Sequence, residues 1–217
     1  MKWQSPNTQT RCAFLLAALA LLGACAQGVR PSDDDRAQLA GQPAIHVLHY
    51  ETPLPRIKGG DGAGSAAVRR HAAADPAALI AQGFSRLFGK KEKLKNLRTE
   101  ARAQPRPVAN DANRFREKYR RGLVLELWVD EWSFAPLAAE TKTYAMTLGA
   151  RSRLSRVEDG RVLWSTGHCS VDGNSGNREQ RLAGTELTSG TKLRKLLAAA
   201  RDECVRQLLR DFGVRSP

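Results

Sequence analysis

The sequence predicts an α+β fold in which an antiparallel sheet of about four strands is packed on one face by two or three helices. Apolar and polar residues alternate along residues 122–134 and again along 141–157, which is the pattern of half-buried β-strands. A segment from about residue 189 or 191 to Phe212 instead carries apolar residues at helical spacing and is followed by glycine, a common helix terminator. Consecutive strands with helices before and after them are typical of α+β domains.

The first strand is predicted at residues 44–50, a short segment with apolar side chains on both faces. The next segment, 51–75, contains two prolines and a glycine-rich run from Gly59 to Gly64. Proline and glycine disfavour regular structure, and the run lacks the Lys-Ser/Thr ending of a phosphate-binding loop. We therefore predict a linker here, with a functional loop as the alternative.

Two helices are predicted after this linker. Asp75 supplies an N-cap acceptor and Pro76 suits the first helical position, and apolar residues follow at helical spacing. A second helix is predicted after Gly89 and ends at Pro105 and Pro107, with a narrow apolar stripe on one side. Its other side carries six cations that are candidates for contact with a polyanion, namely Lys90, Lys91, Lys93, Lys95, Arg98 and Arg102.

The strands of the second half form a predicted meander. Glu158-Asp159-Gly160 has the composition of a turn, and Val162-Leu163-Trp164 resumes the strand pattern at once. Residues 141–171 are therefore predicted to form a β-hairpin, and the strand at 122–134 adds to it as the third strand.

The N-terminus has the features of a processed export signal. Lys2 and Arg11 are the only charges before an apolar run from Ala13 to Ala24, and twelve residues are too few for a transmembrane helix, which needs about 20. Leu22-Gly23-Ala24-Cys25 closes the run and resembles the lipobox of bacterial lipoproteins. The resemblance implies removal of residues 1–24, thioether lipidation of Cys25 and acylation, as with palmitate, of the new N-terminus. The alternative is a buried N-terminal helix followed by an incidental cysteine.

The segment after Cys25 is predicted to be a flexible tether reaching to residue 43, and residues 44–217 to be a single domain. The tether is small and polar, includes three consecutive aspartates and shows no periodicity. At about 3.3 to 3.6 Å per extended residue, it would let the domain stand a few tens of ångströms from the membrane. In lipoproteins the residue after the cysteine influences sorting between the inner and outer membranes. Ala26 resembles the residues found in outer-membrane lipoproteins, which implies an outer-membrane anchor with the domain facing the periplasm.

The four cysteines have separate expected fates. Cys12 leaves with the signal and Cys25 takes the lipid, so Cys169 and Cys204 remain as a pair in an oxidising compartment. A disulfide is the economical interpretation, and two separate buried thiols are the alternative. A metal site is disfavoured because two cysteines without matching histidines do not make a four-ligand shell. We predict no metal, no cofactor and no catalytic residue.

The chain is strongly basic. It has 35 Lys and Arg against 22 Asp and Glu, and without Lys2 and Arg11 the balance is 33 minus 22, or +11. Residues 86–121 hold 13 basic and four acidic side chains. This region is either a solvated helix face or a contact surface for anionic lipid or lipopolysaccharide. Nucleic acid is not expected, because only Phe115 and Tyr119 are interleaved aromatics and an envelope protein does not meet it.

Other chemistry-bearing residues are scattered. His46 and His49 point to opposite faces of one strand and do not make a paired ligand set. Glu126 and Asp130 share a strand face, but their Cα atoms are about 13 Å apart along the strand. Glycosidase carboxyls need about 5 to 9.5 Å. We therefore expect solvated acids on an aromatic surface.

Three tryptophans are candidates for that surface. They either form a platform for a saccharide or a protein partner, or pack beneath a helix. They are Trp128, Trp132 and Trp164.

The second half of the chain resembles the C-terminal half of uncharacterised proteobacterial lipoproteins. The similarity lies in the strand Leu123 to Trp132, the turn and strand Asp159 to Trp164, Cys169, and the late-helix segment Ala199 to Cys204. It covers roughly 90 residues, and it implies lipidation, this fold and cysteine pairing but no active site. The sequence therefore predicts a non-enzymatic envelope lipoprotein that contacts a partner protein or an envelope polyanion. The alternative is a wall-modifying enzyme, which would need titratable or nucleophilic side chains converging in a cleft.

Overall fold

The computed structural model describes residues 29–59, 62–102, 113–137, 142–165, 167–173, 181–187 and 189–214. The lipobox with Cys25 lies outside these residues, as do Pro105 and Pro107. Short 3₁₀ turns form at Leu39–Gly41 and Gly184–Glu186. The helices are α1 Asp33–Ala37, α2 Gly62–Ala72, α3 Pro76–Lys91, α4 Asn113–Tyr119 and α5 Thr191–Phe212. The strands are β1 Ile45–Tyr50, β2 Arg56–Ile57, β3 Leu97–Arg102, β4 Leu123–Pro136, β5 Thr143–Arg156, β6 Val162–Trp164, β7 His168–Asp172 and β8 Arg181–Ala183.

The α+β class is confirmed, but within the described residues the sheet is mixed and has eight strands rather than about four antiparallel ones. Its main path is β3-β1-β4-β5-β6, with β2 added to β4, and β7 and β8 added to β5. β1 is parallel to β3 and β4, and β2 is parallel to β4, whereas all pairs of β5 are antiparallel. The parallel half exists because α2 and α3 provide the crossover that parallel neighbours require. The long strands β4 and β5 accept several short partners each.

The local predictions for β1, α3, β4, β5 and α5 are confirmed. The Asp75 carboxylate caps α3 by accepting a hydrogen bond from the backbone N–H of Ala77 at 2.8 Å. Gly213 follows α5 with a φ of 93°, a left-handed conformation that favours glycine. The turn at residues 158–160 joins β5 to the paired strand β6, as the hairpin prediction required.

Two predictions between β1 and β4 are wrong. Within the predicted linker, α2 forms because its sequence is alanine-rich, and it buries Val68 and Ala72 in the core. The predicted second helix does not form over residues 92–102: α3 ends at Lys91, Lys93 adopts a left-handed φ of 53°, and the chain continues as β3. Leu97 pairs with Ile45 in the parallel register of β1 and β3, so tertiary pairing overrides the helical spacing.

The main core lies between one face of the sheet and helices α3 and α5. Aromatic rings form its centre: the Trp164 ring lies 6.1 Å from Phe84 and 4.9 Å from Phe212. A second, smaller cluster lies on the opposite face, where Phe115 of α4 packs with Leu48, Val124 and Val157. The sheet is therefore covered on both faces and not on one alone.

The predicted disulfide is confirmed. Cys169 of β7 is bonded to Cys204 of α5, and both residues are fully buried. The bond closes a separation of 35 residues and contributes roughly 3 to 4 kcal/mol on the chain-entropy model. It fastens the sheet to the helix that covers it.

Residues 29–43 are folded onto the domain, in contrast to the flexible tether that the sequence predicts. The aspartate run forms the first turn of α1, where Ser32 and Asp35 make a reciprocal capping box. Leu39 is buried. Capping chemistry, and not apolar periodicity, orders this segment. Among the described helices, none combines the length and the apolar character needed to cross a membrane.

Candidate functional site

The predicted polyanion-contact residues lie along one edge of the sheet. β3 ends the strand path, and the turn from α3 leads into it. Five of the six candidate side chains are exposed, and the side chain of Arg102 lies outside the described set. We call the exposed five the basic edge: Lys90, Lys91, Lys93, Lys95 and Arg98.

The basic edge has few counter-charges. Within the part of the chain that the structure describes, Lys90, Lys93, Lys95 and Arg98 make no salt bridge. The neighbouring carboxylate of Glu100 is instead engaged by Lys118 of α4, with Nζ and Oε2 2.7 Å apart. The positive charge of the edge is therefore directed to solvent. Arg98, an exposed charge on the edge strand itself, also opposes unwanted pairing with other chains.

Glu100 links the edge strand β3 to α4, on the face of the sheet that carries the smaller hydrophobic cluster. Its carboxylate contacts His46 Nδ1 at 2.9 Å and accepts a hydrogen bond from the Tyr119 hydroxyl at 2.9 Å. Desolvation acts to raise the pKa of Glu100, but the hydrogen bonds from Lys118, His46 and Tyr119 outweigh it and lower that pKa to about 2. The ring of His46 also stacks on Tyr119 at 3.9 Å. This arrangement holds α4 on the sheet.

The two strand histidines have separate surroundings. His46 is enclosed by Glu100 and Tyr119, whereas His49 is half-buried near Asp75. Desolvation lowers the pKa of His49, against the opposing charge of Asp75. Within the described ranges, no group of three or more His, Cys, Asp or Glu side chains is placed to hold a metal ion.

The predicted pair of solvated acids is half wrong. Glu126 is fully buried and accepts hydrogen bonds from Tyr50 Oη at 2.6 Å and from Arg153 Nε at 2.8 Å. Asp130 is exposed at a β-bulge and pairs with Arg151 at 2.6 Å. Arg153 lies directly opposite Glu126 in the register of β4 and β5. The ion pair depends on the register between β4 and β5, which no sequence pattern specifies.

The three tryptophans do not share a surface. Trp164 is fully buried beneath the helices, and its Nε1 donates to Asp211 at 2.8 Å, so packing and not a binding platform explains it. Trp132 is 3% exposed and lies beside Phe134. Trp128 alone is half-buried. The fully buried Trp164 ring, with its one polar atom hydrogen-bonded to Asp211, belongs to the core.

A groove that sequence reasoning missed lies where β4 passes from its partner β1 to its partner β2. It holds about 320 Å³. Leu54, between two prolines, is 54% exposed at this groove. Trp132 lines it, and the buried Nε1 of Trp132 has no hydrogen-bond partner among the described residues. No local pattern marks the groove, although the single apolar residue of Thr-Pro-Leu-Pro supplies Leu54 to it. The lining residues are Pro53, Leu54, Arg56, Val129, Asp130 and Trp132.

No family model and no curated protein sequence matches the chain. Solved structures do resemble it. A PelC dodecamer from Paraburkholderia phytofirmans has 15% sequence identity and a TM-score of 0.39, over 88% of this chain and 97% of the other. Lipoprotein GNA1162 from Neisseria meningitidis has 15% identity and a TM-score of 0.35, over 76% and 99%. A DUF330 protein from Xanthomonas campestris has 12% identity and a TM-score of 0.34, over 85% and 95%.

Proposed function

We propose that the protein is an envelope lipoprotein, anchored through acylated Cys25 in the outer membrane, whose periplasmic domain binds an anionic envelope polymer at the basic edge. The observation that carries the proposal is the set of exposed and unpaired cations Lys90, Lys93, Lys95 and Arg98 among the described residues. The lipobox supports the anchor. The role is binding rather than catalysis.

The charge of the basic edge is large enough to give useful affinity. A basic residue near an anionic surface contributes about 1 kcal/mol at moderate salt. Four such residues contribute about 4 kcal/mol together, which is two to three orders of magnitude in a binding constant at about 1.4 kcal/mol per tenfold change. Because the cations are exposed, salt screens the interaction: the Debye length falls from about 10 Å at 0.1 M to about 3 Å at 1 M.

The test is binding of the domain without its lipid, as Cys25→Ser, to lipopolysaccharide micelles over a range of salt concentrations. We expect binding that weakens steeply with salt, and a loss of most of the affinity when four cations of the basic edge are neutralised. The variant carries Lys90→Gln, Lys93→Gln, Lys95→Gln and Arg98→Gln.

A matched control removes four exposed cations from elsewhere on the domain and so has the same net charge. If the edge is a specific surface, this control keeps most of the affinity. Equal losses in both variants, or binding that does not respond to salt, would refute the proposed surface. The control carries Lys58→Gln, Lys142→Gln, Lys195→Gln and Arg210→Gln.

The anchor is tested separately in cells. The wild-type protein is expected in the membrane fraction, with an N-terminal fragment whose mass includes a diacylglycerol and an acyl chain on Cys25. The Cys25→Ser variant is expected to lose that mass and to leave the membrane fraction. A wild-type protein with an unmodified Cys25 contradicts the proposed anchor.

A further inference from the structure

We infer that the edge of the domain around Val29 and Ser165 lies against the lipid bilayer that holds Cys25. The inference rests on the proposed lipidation of Cys25 and goes beyond it, because it assigns the surface that meets the membrane. We call this surface the anchor edge. It comprises Val29, Arg30, Arg161, Ser165 and Gly213.

The chain is pinned to the domain at Val29. The backbone N–H of Val29 donates to Ser165 Oγ at 2.9 Å, and the backbone N–H of Ser165 donates to the carbonyl of Val29 at 2.8 Å. Ser165 directly follows β6, which ends the strand path. These two hydrogen bonds fix where the N-terminal segment joins the domain.

Side chains hold the residues that follow. Arg36 Nη1 donates to the carbonyl of Gly213 at 3.1 Å, just after α5 ends. Arg30 forms an ion pair with Asp211 at 3.5 Å. Together with the buried Leu39, these contacts attach residues 29–43 along their length. Three residues, 26–28, lie between Cys25 and this attachment point at Val29.

Covalent geometry limits the reach of that stretch. Cys25 and Val29 are four peptide units apart, so their Cα atoms are at most about 15 Å apart at 3.8 Å per unit. A domain of this length has a radius of gyration of about 16 Å. The segment from Cys25 to Val29 spans no more than the radius of the domain. The domain therefore cannot turn a remote surface towards the bilayer, and the anchor edge must face the bilayer.

The chemistry of the anchor edge suits this position. Its exposed arginines are matched by carboxylates, with Arg30 beside Asp211 and Arg161 3.6 Å from Asp35, so the surface carries little net charge. Val29 is 43% exposed, one of two large apolar side chains exposed to that degree among the described residues. A nearly neutral surface with an exposed valine approaches lipid headgroups without electrostatic repulsion.

The basic edge lies at the opposite end of the strand order from the anchor edge. From β6 to β3 there are four strand steps, or about 19 Å at 4.8 Å per step. The bilayer contact and the cation row are therefore separate surfaces. The basic edge would therefore bind the proposed polymer away from the anchoring membrane.

The experiment uses the full lipidated protein in vesicles that contain a lipid with a nitroxide on its headgroup. A fluorophore is attached through Arg161→Cys in one variant and through Arg98→Cys in another, since both positions are exposed and the native disulfide is buried. We expect the nitroxide to quench the probe at position 161 several-fold more than the probe at position 98. Equal quenching at the two positions overturns the inference.

A spacer variant provides the matched control. Inserting about 20 Gly/Ser residues between Ala26 and Gln27 gives a coil whose mean span is about 25 Å, so quenching at position 161 should fall toward that at position 98. If quenching at position 161 is unchanged by the spacer, the inference is also overturned. Lipidation is checked first by mass: an unmodified Cys25 refutes the proposed function as well, whereas weak quenching in a lipidated protein refutes the anchor edge alone.

Discussion

Glu126 of β4 and Arg153 of β5 are directly opposite in the antiparallel register and form an ion pair inside the sheet, with 0% and 10% of their side-chain surfaces exposed. Tyr50 donates a further hydrogen bond to the same carboxylate. A shift of the β4–β5 register by one residue would separate the two charges and leave a buried carboxylate without its guanidinium partner. An exposed pair of the same chemistry, Asp130 with Arg151, lies further along the same strands, four residues after Glu126 on β4 and two residues before Arg153 on β5.

Arg153→Met should destabilise the domain by about 3 to 5 kcal/mol, because it leaves the Glu126 carboxylate buried without its guanidinium partner. The double variant Arg153→Met with Glu126→Leu should recover much of that loss, since it removes both charges. Urea unfolding measures both. Arg151→Met, at the exposed pair, is the control and should change stability by less than about 1 kcal/mol. Equal losses at positions 151 and 153 would contradict the role of burial.

Acid should weaken the contact of α4 with the sheet through Glu100. Its pKa in the folded protein is about 2, below its ordinary value of 4.5, so the stabilisation is fully present above about pH 4.5 and is lost as the pH falls towards 2. Because the side chain is partly exposed, solvent screening limits the effect to the order of 1 kcal/mol. The measurement is the free energy of unfolding of wild type and Glu100→Gln between pH 6 and pH 2, an interval set by these two values. The difference between the two proteins should shrink in acid; a constant difference would contradict the assignment.

The disulfide should resist reducing agents in the folded protein. Cys169 and Cys204 are both fully buried, so alkylation after mild reductant should label neither until the domain is unfolded. The double variant Cys169→Ala with Cys204→Ala should lose roughly 3 to 4 kcal/mol of stability on the chain-entropy model. Mass spectrometry of alkylated protein, with and without denaturant, is the measurement. Rapid labelling of native protein would show that the bond is accessible.

Gly167→Ala should be strongly destabilising. A Cβ atom there would lie 1.8 Å from Ser152 Oγ and 2.5 Å from Cζ2 of the buried Trp164, so the core beside β6 and β7 must shift. Overpacking of this kind costs about 1 to 3 kcal/mol or more. Gly41→Ala is the control, because nothing lies within 4 Å of its added Cβ. The melting temperatures of the two variants test this, and similar values would contradict the close packing at Gly167.

The local patterns identify the elements that form largely from their own residues. The alternation along β4 and β5, the turn at residues 158–160, the cap of α3 at Asp75 and the apolar stripe of α5 all depend on neighbours within a few positions. The pairing of Cys169 with Cys204 could be predicted because the expected processing left only these two cysteines unmodified. The strand, turn, cap and helix features can be predicted from a single sequence because their physical causes are local, whereas the disulfide follows from counting the remaining cysteines.

Features that depend on residues far apart in the chain could not be predicted from local sequence patterns. β3 has helical spacing, yet Leu97 pairs with Ile45, 52 positions earlier, and the hydrogen bonds of that parallel ladder outweigh the local preference. The burial of Glu126 depends on Arg153 across the hairpin and on Tyr50 from β1. The groove at Trp132 depends on the gap between β1 and β2, which no local pattern encodes.

The sequence by itself determined the strand and helix types of the second half, the cysteine pair and the location of the cationic segment. Only the tertiary structure decided that this segment is the edge of a mixed sheet and that residues 29–43 are bound to the domain through Ser165 and Gly213. The reason is physical. Periodicity records which face of an element is apolar, whereas strand partners and the attachment of a polar segment depend on hydrogen bonds and ion pairs between residues far apart in the chain.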